Sequence, residues 1–165
     1  AAVGGVGRSE PRVREWAAAC LANLASNAPA DGVDELLDDG ACRVAAALLR
    51  ACEPEERRTA KLAVSVWSQL GRSEEGREAC ARAGLVEATI RALEASALVG
   101  APDAAELAQE ACRAFATFAF VDAEGNAQLR AAGAHRVLSA LVDTHKKDAQ
   151  VQEMGRALVP QILDG

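Results

Sequence analysis

The stretch TAKLAVSVWSQLGRS (59–73) places small or apolar residues at the spacing of one buried helix face. Counted from Thr59, they stand at offsets 0, 4, 7, 8 and 11, the stripe that an amphipathic helix turns toward a core. Three other stretches follow the same order of residue types: VREWAAACLANLASN (13–27), LAQEACRAFATFAFVD (107–122) and VQEMGRALVPQIL (151–163). A repeat of roughly 45 residues is typical of stacked helical layers. The sequence therefore predicts equivalent long helices packed side by side.

When the four stretches are aligned, apolar residues fall into columns. Two columns hold the larger side chains: Leu21, Trp67, Phe115 and Val159 in the first, and Leu24, Leu70, Phe118 and Ile162 in the second. Val13, Ala17 and Cys20 belong to columns of smaller residues. We expect all of them to be buried, because a repeat buries its apolar face against its neighbours. Trp16 lies outside these columns, and two interpretations stay open: an interface residue or packing on a preceding unit.

Between the long stretches, a glycine separates a short helical segment from a medium one. These glycines are Gly40, Gly84 and Gly133. Glycine adopts the left-handed backbone conformation that ends many helices, so the chain turns sharply at each of them. Each repeat is therefore predicted to hold a short, a medium and a long helix, and the chain to be all-α.

Two local patterns predict helix ends. Asp103 followed by Glu106 has the spacing of a capping box, which predicts the start of the third long helix. Pro160 lies inside the last long stretch, where proline removes a backbone hydrogen bond and clashes with the preceding turn. We expect a kink or an early helix end at Pro160.

Two segments of the chain resemble the armadillo repeat family. AAACLANLA (17–25) is similar to the family's long helix, and NAQLRAAGA (126–134) is similar to its short helix and glycine turn. The resemblance covers nearly the whole chain. It implies a right-handed α-solenoid of three-helix armadillo-type repeats.

The repeats divide the chain into a single array over residues 1–165. Its parts are a long helix at 11–26, a unit at 31–71, a unit at 74–121 with an insertion at 96–104, and a unit at 123–163. The first long helix has no short and medium helix of its own. We therefore interpret residues 1–10 as the tail of a preceding unit and the chain as a fragment of a longer array.

Composition narrows the classes of partner. The net charge is -6 and aromatic residues make up 3% of the chain, so basic residues interleaved with stacking aromatics are missing and nucleic acid is not an expected partner. No apolar run reaches the roughly 20 residues of a membrane-spanning helix, so membrane insertion is not expected. The five cysteines form no CxxC pair, which favours packed, reduced thiols and an intracellular, cytoplasmic or nuclear location.

Motifs for catalysis or cofactor binding are missing from the sequence. We find no Ser-His-Asp, Cys-His or His-x-x-x-His pattern and no phosphate-binding GxxxxGK[ST] loop. The acidic residues at 31–39 lack the spacing of a calcium-binding EF-hand loop. The chain is therefore predicted not to be an enzyme, and to carry neither a cofactor nor a metal.

The armadillo resemblance also implies a binding surface on the concave face of the long helices. Family members hold extended peptides there with a ladder of Asn side chains, because an amide donates and accepts hydrogen bonds as a peptide backbone does. The equivalent positions here are Asn23, Gln69, Thr117 and Gln161. Where import receptors of the family place Trp, this chain has Ala19, Ser65, Arg113 and Ala157, which argues against nuclear-import peptides.

The contacts that we predict for a partner are Asn23, Lys61, Gln69, Arg113 and Thr117. The resulting prediction is a non-catalytic protein–protein interaction scaffold that binds a protein or an extended peptide on its concave face. Two alternatives stay open. In the first alternative, the chain is an autoinhibitory or ligand-sensing domain of a larger multidomain enzyme. In the second, it is a structural module built into a large complex.

Overall fold

The computed structural model describes residues 10–121 and 123–165, and this part of the chain is built from α-helices without strands. The helices are α1 (Pro11–Asn27), α2 (Ala30–Asp38), α3 (Ala41–Ala51), α4 (Arg57–Leu70), α5 (Glu74–Arg82), α6 (Leu85–Ser96), α7 (Pro102–Ala119), α8 (Ala123–Ala131), α9 (Ala134–Thr144) and α10 (Ala149–Asp164). The interpretation of residues 1–10 as the tail of a preceding unit falls almost wholly outside the described residues.

The long helices α1, α4, α7 and α10 pack one on the next in chain order. The medium helices α3, α6 and α9 form a second row, each packed against its neighbour in the row. This arrangement follows from the repeated apolar stripe, since a single short–medium–long unit has no other surface on which to bury it. The result is a solenoid with one continuous core.

The centre of that core is a cluster of three aromatic side chains from two successive long helices. The Trp67 ring lies 5.5 Å from the Phe115 ring and 5.0 Å from the Phe118 ring, both in edge-to-face geometry. All three side chains are fully buried. The prediction that Trp67 is a core residue is confirmed, and the two aromatic columns meet across the boundary between α4 and α7.

The predicted glycine turns are confirmed. Gly40, Gly84 and Gly133 have φ values of 85°, 73° and 79°, each immediately before a medium helix. A side chain at φ in this range crowds the backbone, so glycine is the residue that fits.

The capping-box prediction at Asp103 is wrong. Helix α7 begins at Pro102, so Asp103 lies inside the first turn, where its Oδ1 accepts the Ala104 N–H at 3.0 Å, and the N-cap residue Ala101 makes no side-chain cap. The two carboxylates instead reach across to the preceding long helix: Asp103 pairs with Arg57 at 3.1 Å and Glu106 pairs with Lys61 at 2.5 Å. Proline at the first helical position makes a side-chain cap less necessary there, because it has no N–H to satisfy.

The expected early helix end at Pro160 is also wrong, because α10 continues to Asp164. Carbonyl groups beyond the proline are held from α8. The Asn126 amide donates to the Gln161 carbonyl at 3.1 Å, and Arg130 Nε donates to the Ile162 carbonyl at 2.7 Å. Ile162 is fully buried. Packing and these hydrogen bonds offset the one bond that proline removes.

The apolar face of α1 corrects a further expectation. Leu24 is 57% exposed, whereas Leu70, Phe118 and Ile162 in the same column are buried. Val13, Ala17 and Cys20 are exposed as well. In the later layers each long helix packs against the medium helix of its own repeat. The first long helix has no such helix among the described residues, so its stripe faces outward.

Candidate binding surface

Three polar positions recur along the long helices, one helical turn apart, and they form a row that crosses the successive layers. The first position holds Glu15, Lys61, Gln109 and Glu153, the second Ala19, Ser65, Arg113 and Ala157, and the third Asn23, Gln69, Thr117 and Gln161. All of these residues are exposed or half-buried. We call this set the polar row.

Asn23 and Gln69 occupy the third position of the polar row on α1 and α4. Asn23 is exposed and Gln69 is half-buried. Within the described part of the chain, neither side-chain amide makes a hydrogen bond or ion pair. Each amide is therefore free to donate to and accept from an incoming backbone.

Lys61 and Arg113, both predicted contacts, are already paired with carboxylates. Lys61 Nζ lies 2.5 Å from Glu106 Oε2 on the next long helix. Arg113 Nη1 donates to Glu110 Oε2 at 2.7 Å, and the buried Ser68 hydroxyl donates to the other oxygen of Glu110. A ligand that uses either cation must compete with a charge-assisted hydrogen bond.

Thr117 and Gln161 are also engaged within the fold. Thr117 Oγ1 donates to the Ala114 carbonyl of its own helix at 2.7 Å. Gln161 Nε2 donates to the Ala119 carbonyl of α7 at 2.9 Å. Thr117 lies against the end of α4, since a Cβ atom at Gly71 would stand 2.8 Å from Thr117 Oγ1. Of the five predicted contacts, the structure leaves Asn23 and Gln69 with unpaired side chains in its described part.

A buried ion pair between α1 and α4 was not predicted from the sequence. Arg14 Nε donates to Glu56 Oε1 at 3.1 Å, and Nη2 donates to Oε2 at 2.6 Å. Through the hydrogen bond, Arg14 lowers the pKa of Glu56, and Glu56 raises the pKa of Arg14. The sequence offers no signal for this pair, because Arg14 lies in a polar stretch and its partner is 42 residues away.

The open face of α1 borders a surface cleft of about 750 Å³. Its walls come from the C-terminal half of α1, the following turn and α2: Cys20, Asn23, Leu24, Asn27, Ala28, Pro29, Gly32, Glu35, Leu36 and Asp39. Asn23 and Leu24 both line this cleft, and Leu24 contributes exposed apolar surface to it. The cleft therefore adjoins one end of the polar row. Sequence reasoning missed it, because Leu24 shares the pattern of buried residues.

The two ends of the solenoid differ in polarity. At the first end, Val13, Trp16 and Leu24 expose large apolar side chains, and Trp16 is 68% exposed. At the other end, the outward positions of α10 hold Gln152, Arg156, Pro160 and Leu163. Arg156 donates to Gln152 at 2.8 Å on that face. Terminal repeats need a polar outer face for solubility; α10 presents two polar residues, Gln152 and Arg156, beside the apolar Pro160 and Leu163, whereas α1 exposes three large apolar side chains.

No helix in residues 10–121 and 123–165 is both long and apolar enough to cross a membrane. In the same residues, no group of three or more His, Cys, Asp or Glu side chains is placed to hold a metal ion.

Similarity to solved structures supports the fold. A designed armadillo repeat protein matches with a TM-score of 0.74 and 22% identity over 94% of this chain and 60% of its own. A second designed armadillo repeat protein, in complex with the peptide (KR)4, matches with a TM-score of 0.75 and 23% identity over 97% and 62%. An engineered protein matches with a TM-score of 0.74 and 26% identity over 99% and 61%.

The chain thus spans about 60% of the length of each of these three solved chains. No protein-family model and no curated protein sequence matches it. The predicted all-α, armadillo-like solenoid is confirmed by these structural matches.

Proposed function

We propose that this chain is a non-catalytic interaction module that binds an extended segment of a partner protein along its polar row. The observation that carries the proposal is the pair of unpaired amides, Asn23 and Gln69, at equivalent positions on adjacent long helices. An extended backbone presents alternating N–H and C=O groups, and amides spaced by one helical layer pair with such a backbone. The solved relative that holds the peptide (KR)4 has the same fold.

Charges around the row suggest a partner segment of mixed sign. Lys61 of α4 and Arg113 of α7 lie beside carboxylates, namely Glu15 of α1 and Glu106 and Glu110 of α7. Because both signs are present along the row, a uniformly basic or acidic peptide would meet like charges as well as opposite ones, which costs binding energy. We therefore propose a segment whose charges alternate or whose side chains are polar and neutral at these positions.

The test uses a probe peptide selected from a random peptide-display library on the full chain. The double substitution Asn23→Ala with Gln69→Ala removes two hydrogen-bonding amides and should weaken the probe about tenfold or more. Thr117→Ala should weaken it less, because Thr117 Oγ1 already donates to its own helix. Affinity is measured by isothermal titration calorimetry.

The matched control is Arg136→Ala on the exposed surface of α9, outside the polar row. It should leave the affinity of the probe unchanged. If the control weakens the probe and the Asn23 and Gln69 double variant does not, the binding surface lies elsewhere and the proposal fails.

A second candidate function is end-on docking as a structural module of a larger array or complex. The exposed apolar side chains of Val13, Trp16 and Leu24 favour it. Apolar surface grouped on one face marks an interaction site more often than scattered apolar residues do. In this case a helical layer covers α1 as the medium helices cover α4 and α7.

The test compares self-association of the isolated chain with that of Trp16→Glu plus Leu24→Glu. We expect the wild type to associate as concentration rises and the variant to stay monomeric with the same helical content, measured by light scattering and circular dichroism. Arg156→Glu plus Leu163→Glu at the polar end is the matched control and should associate like the wild type. A wild type that stays monomeric and binds no hydrophobic dye would exclude this candidate.

The remaining features of the proposal concern context. We propose one array over residues 1–165, divided as the sequence predicts, which continues into further repeats in a longer protein. We also propose a cytoplasmic or nuclear protein without a nucleic-acid ligand. The alternative of a regulatory domain within a larger enzyme would place the same polar row against a catalytic domain of that enzyme.

A further inference from the structure

Two buried cysteines face each other across the boundary between two repeats. Cys42 near the start of α3 and Cys80 near the end of α5 have Sγ atoms 3.4 Å apart. A disulfide has a length of about 2.05 Å, so closure asks for a movement of little more than 1 Å shared by the two side chains. The two residues are 38 positions apart in the sequence, and no spacing rule relates them.

Of the two cysteines, Cys42 lies nearer the surface, although it is only 3% exposed. That residue lines a surface cavity of about 320 Å³ together with Asp38, Arg43 and Arg82. Cys80 is fully buried behind it. The thiol of Cys42 therefore borders the cavity, whereas the thiol of Cys80 is enclosed.

The position of Cys42 on its helix favours the anionic form of its thiol. It is the second residue of α3, after the turn at Gly40, where the positive end of the helix dipole stabilises an anion. The hydrogen bond with Cys80 lowers the pKa of Cys42 and raises that of Cys80. Cys112 is a contrasting case, because burial, with a smaller contribution from Asp148, raises its pKa to about 12.

We propose that Cys42 and Cys80 form a reversible disulfide when hydrogen peroxide enters the cavity beside Cys42. The Cys42 thiolate attacks one peroxide oxygen, the O–O bond breaks, and the leaving hydroxide takes a proton to become water. Cys42 is then a sulfenic acid. Cys80 attacks the Cys42 sulfur, the S–O bond breaks, and the departing hydroxide takes the Cys80 proton as a second water. Both sulfurs are oxidised by one electron each, and the peroxide is reduced to two molecules of water.

The new bond would tie α3 of one repeat to α5 of the next. These helices already pack against each other, so the disulfide forms without rearrangement of the layers. It restricts the rotation of one repeat relative to the next, and this rotation sets the curvature of a solenoid. The inference does not depend on the proposed function, since the chemistry needs neither the polar row nor a partner.

The test exposes the folded full chain to increasing hydrogen peroxide, blocks the remaining thiols with an alkylating agent, and maps the peptides by mass spectrometry. We expect a Cys42–Cys80 cross-linked peptide that disappears after treatment with dithiothreitol. Cys42 should lose its ability to be alkylated at least about tenfold faster than Cys112, because the thiolate fraction sets the rate. The mapping uses the wild type, so the result does not depend on any variant that fails to fold.

Two variants separate the roles of the sulfurs. In Cys80→Ser, the Cys42 sulfenic acid should accumulate and be trapped by dimedone, whereas in Cys42→Ser the thiol of Cys80 should stay reduced. Cys52→Ser is the matched control and should keep the cross-link. The proposal is overturned if peroxide oxidises the exposed Cys20 while Cys42 and Cys80 remain fully alkylatable, or if the cross-link appears only in denaturant.

Discussion

Arg14 of α1 and Glu56, at the start of α4, form two parallel hydrogen bonds, from Nε to Oε1 at 3.1 Å and from Nη2 to Oε2 at 2.6 Å. Both side chains are about nine-tenths buried. Glu56 Oε2 also accepts the Glu53 backbone N–H at 2.8 Å, so the pair fixes the turn that leads into α4 as well as the contact between two long helices. A bidentate pair of this kind specifies one register of α1 on α4.

Removing the charge of Glu56 should destabilise the chain. Glu56→Gln removes the negative charge that makes two hydrogen bonds with the buried Arg14 guanidinium, and we expect a loss of about 1–3 kcal/mol in the free energy of unfolding. Chemical denaturation at neutral pH measures it. Glu55→Gln, on an exposed neighbouring residue, is the control and should have little effect. Equal stability of Glu56→Gln and the wild type would show that the pair contributes nothing.

The same pair should give the chain a specific acid sensitivity. The Arg14 guanidinium holds the pKa of Glu56 below its ordinary value in the folded chain. Its stabilisation is therefore complete above the unfolded pKa of about 4.3 and is lost as pH falls through the lower folded pKa. The stability gap between wild type and Glu56→Gln should narrow below about pH 4. Urea unfolding at neutral and acidic pH tests this, and a gap that stays constant contradicts it.

Truncation of the two tryptophans should change the stability of the chain by very different amounts. Trp67 is fully buried against Phe115 and Phe118, so Trp67→Ala should cost about 3–5 kcal/mol. Trp16 is mostly exposed, and Trp16→Ala should change stability by less than about 0.5 kcal/mol. Thermal unfolding followed by circular dichroism compares them. Similar losses for both variants would mean that Trp16 packs against part of the fold.

A substitution at Gly133 should isolate the cost of its left-handed backbone. Its φ is 79°, and a Cβ atom there would meet only Arg136 Cδ, at 4.0 Å. Gly133→Ala should therefore cost about 1–2 kcal/mol through backbone strain without a steric clash. Gly133→Asn should cost less, because Asn tolerates this conformation better than other residues with a Cβ. The prediction is wrong if Ala and Asn destabilise the chain equally in urea unfolding.

Local features predicted the repeat geometry well. The period of the apolar stripe gave the long helices, and the three glycines gave the turns before α3, α6 and α9. Predictions about individual helix ends were weaker. Asp103 and Glu106 have the spacing of a capping box, yet they pair with Arg57 and Lys61 of α4. A local motif competes with partners in the neighbouring layer, and the sequence does not rank them.

The candidate site was predictable only as a set of equivalent positions. The alignment of repeats identified Asn23, Gln69 and Thr117 as one row, but which of these side chains already has a partner depends on neighbouring backbone. Thr117 is bonded to Ala114, and the Asn23 and Gln69 side chains have no such bond within the described residues. The cleft beside Leu24 was not predicted, because the other members of the Leu24 column are buried and the pattern does not show that Leu24 is exposed.

The sequence by itself determined the all-α repeat architecture, because helix periodicity and left-handed glycines are properties of a few neighbouring residues. The tertiary structure decided which repeats of a pattern are covered and which cross-layer side chains meet. Leu24 and Leu70 have the same place in the pattern, but Leu24 is 57% exposed, whereas Leu70 is buried on the helix that packs on α3 and α7. Cys42 approaches Cys80, and Arg14 approaches Glu56, because stacking sets the register between layers. That register depends on the summed packing of whole helices, which no single segment of sequence contains.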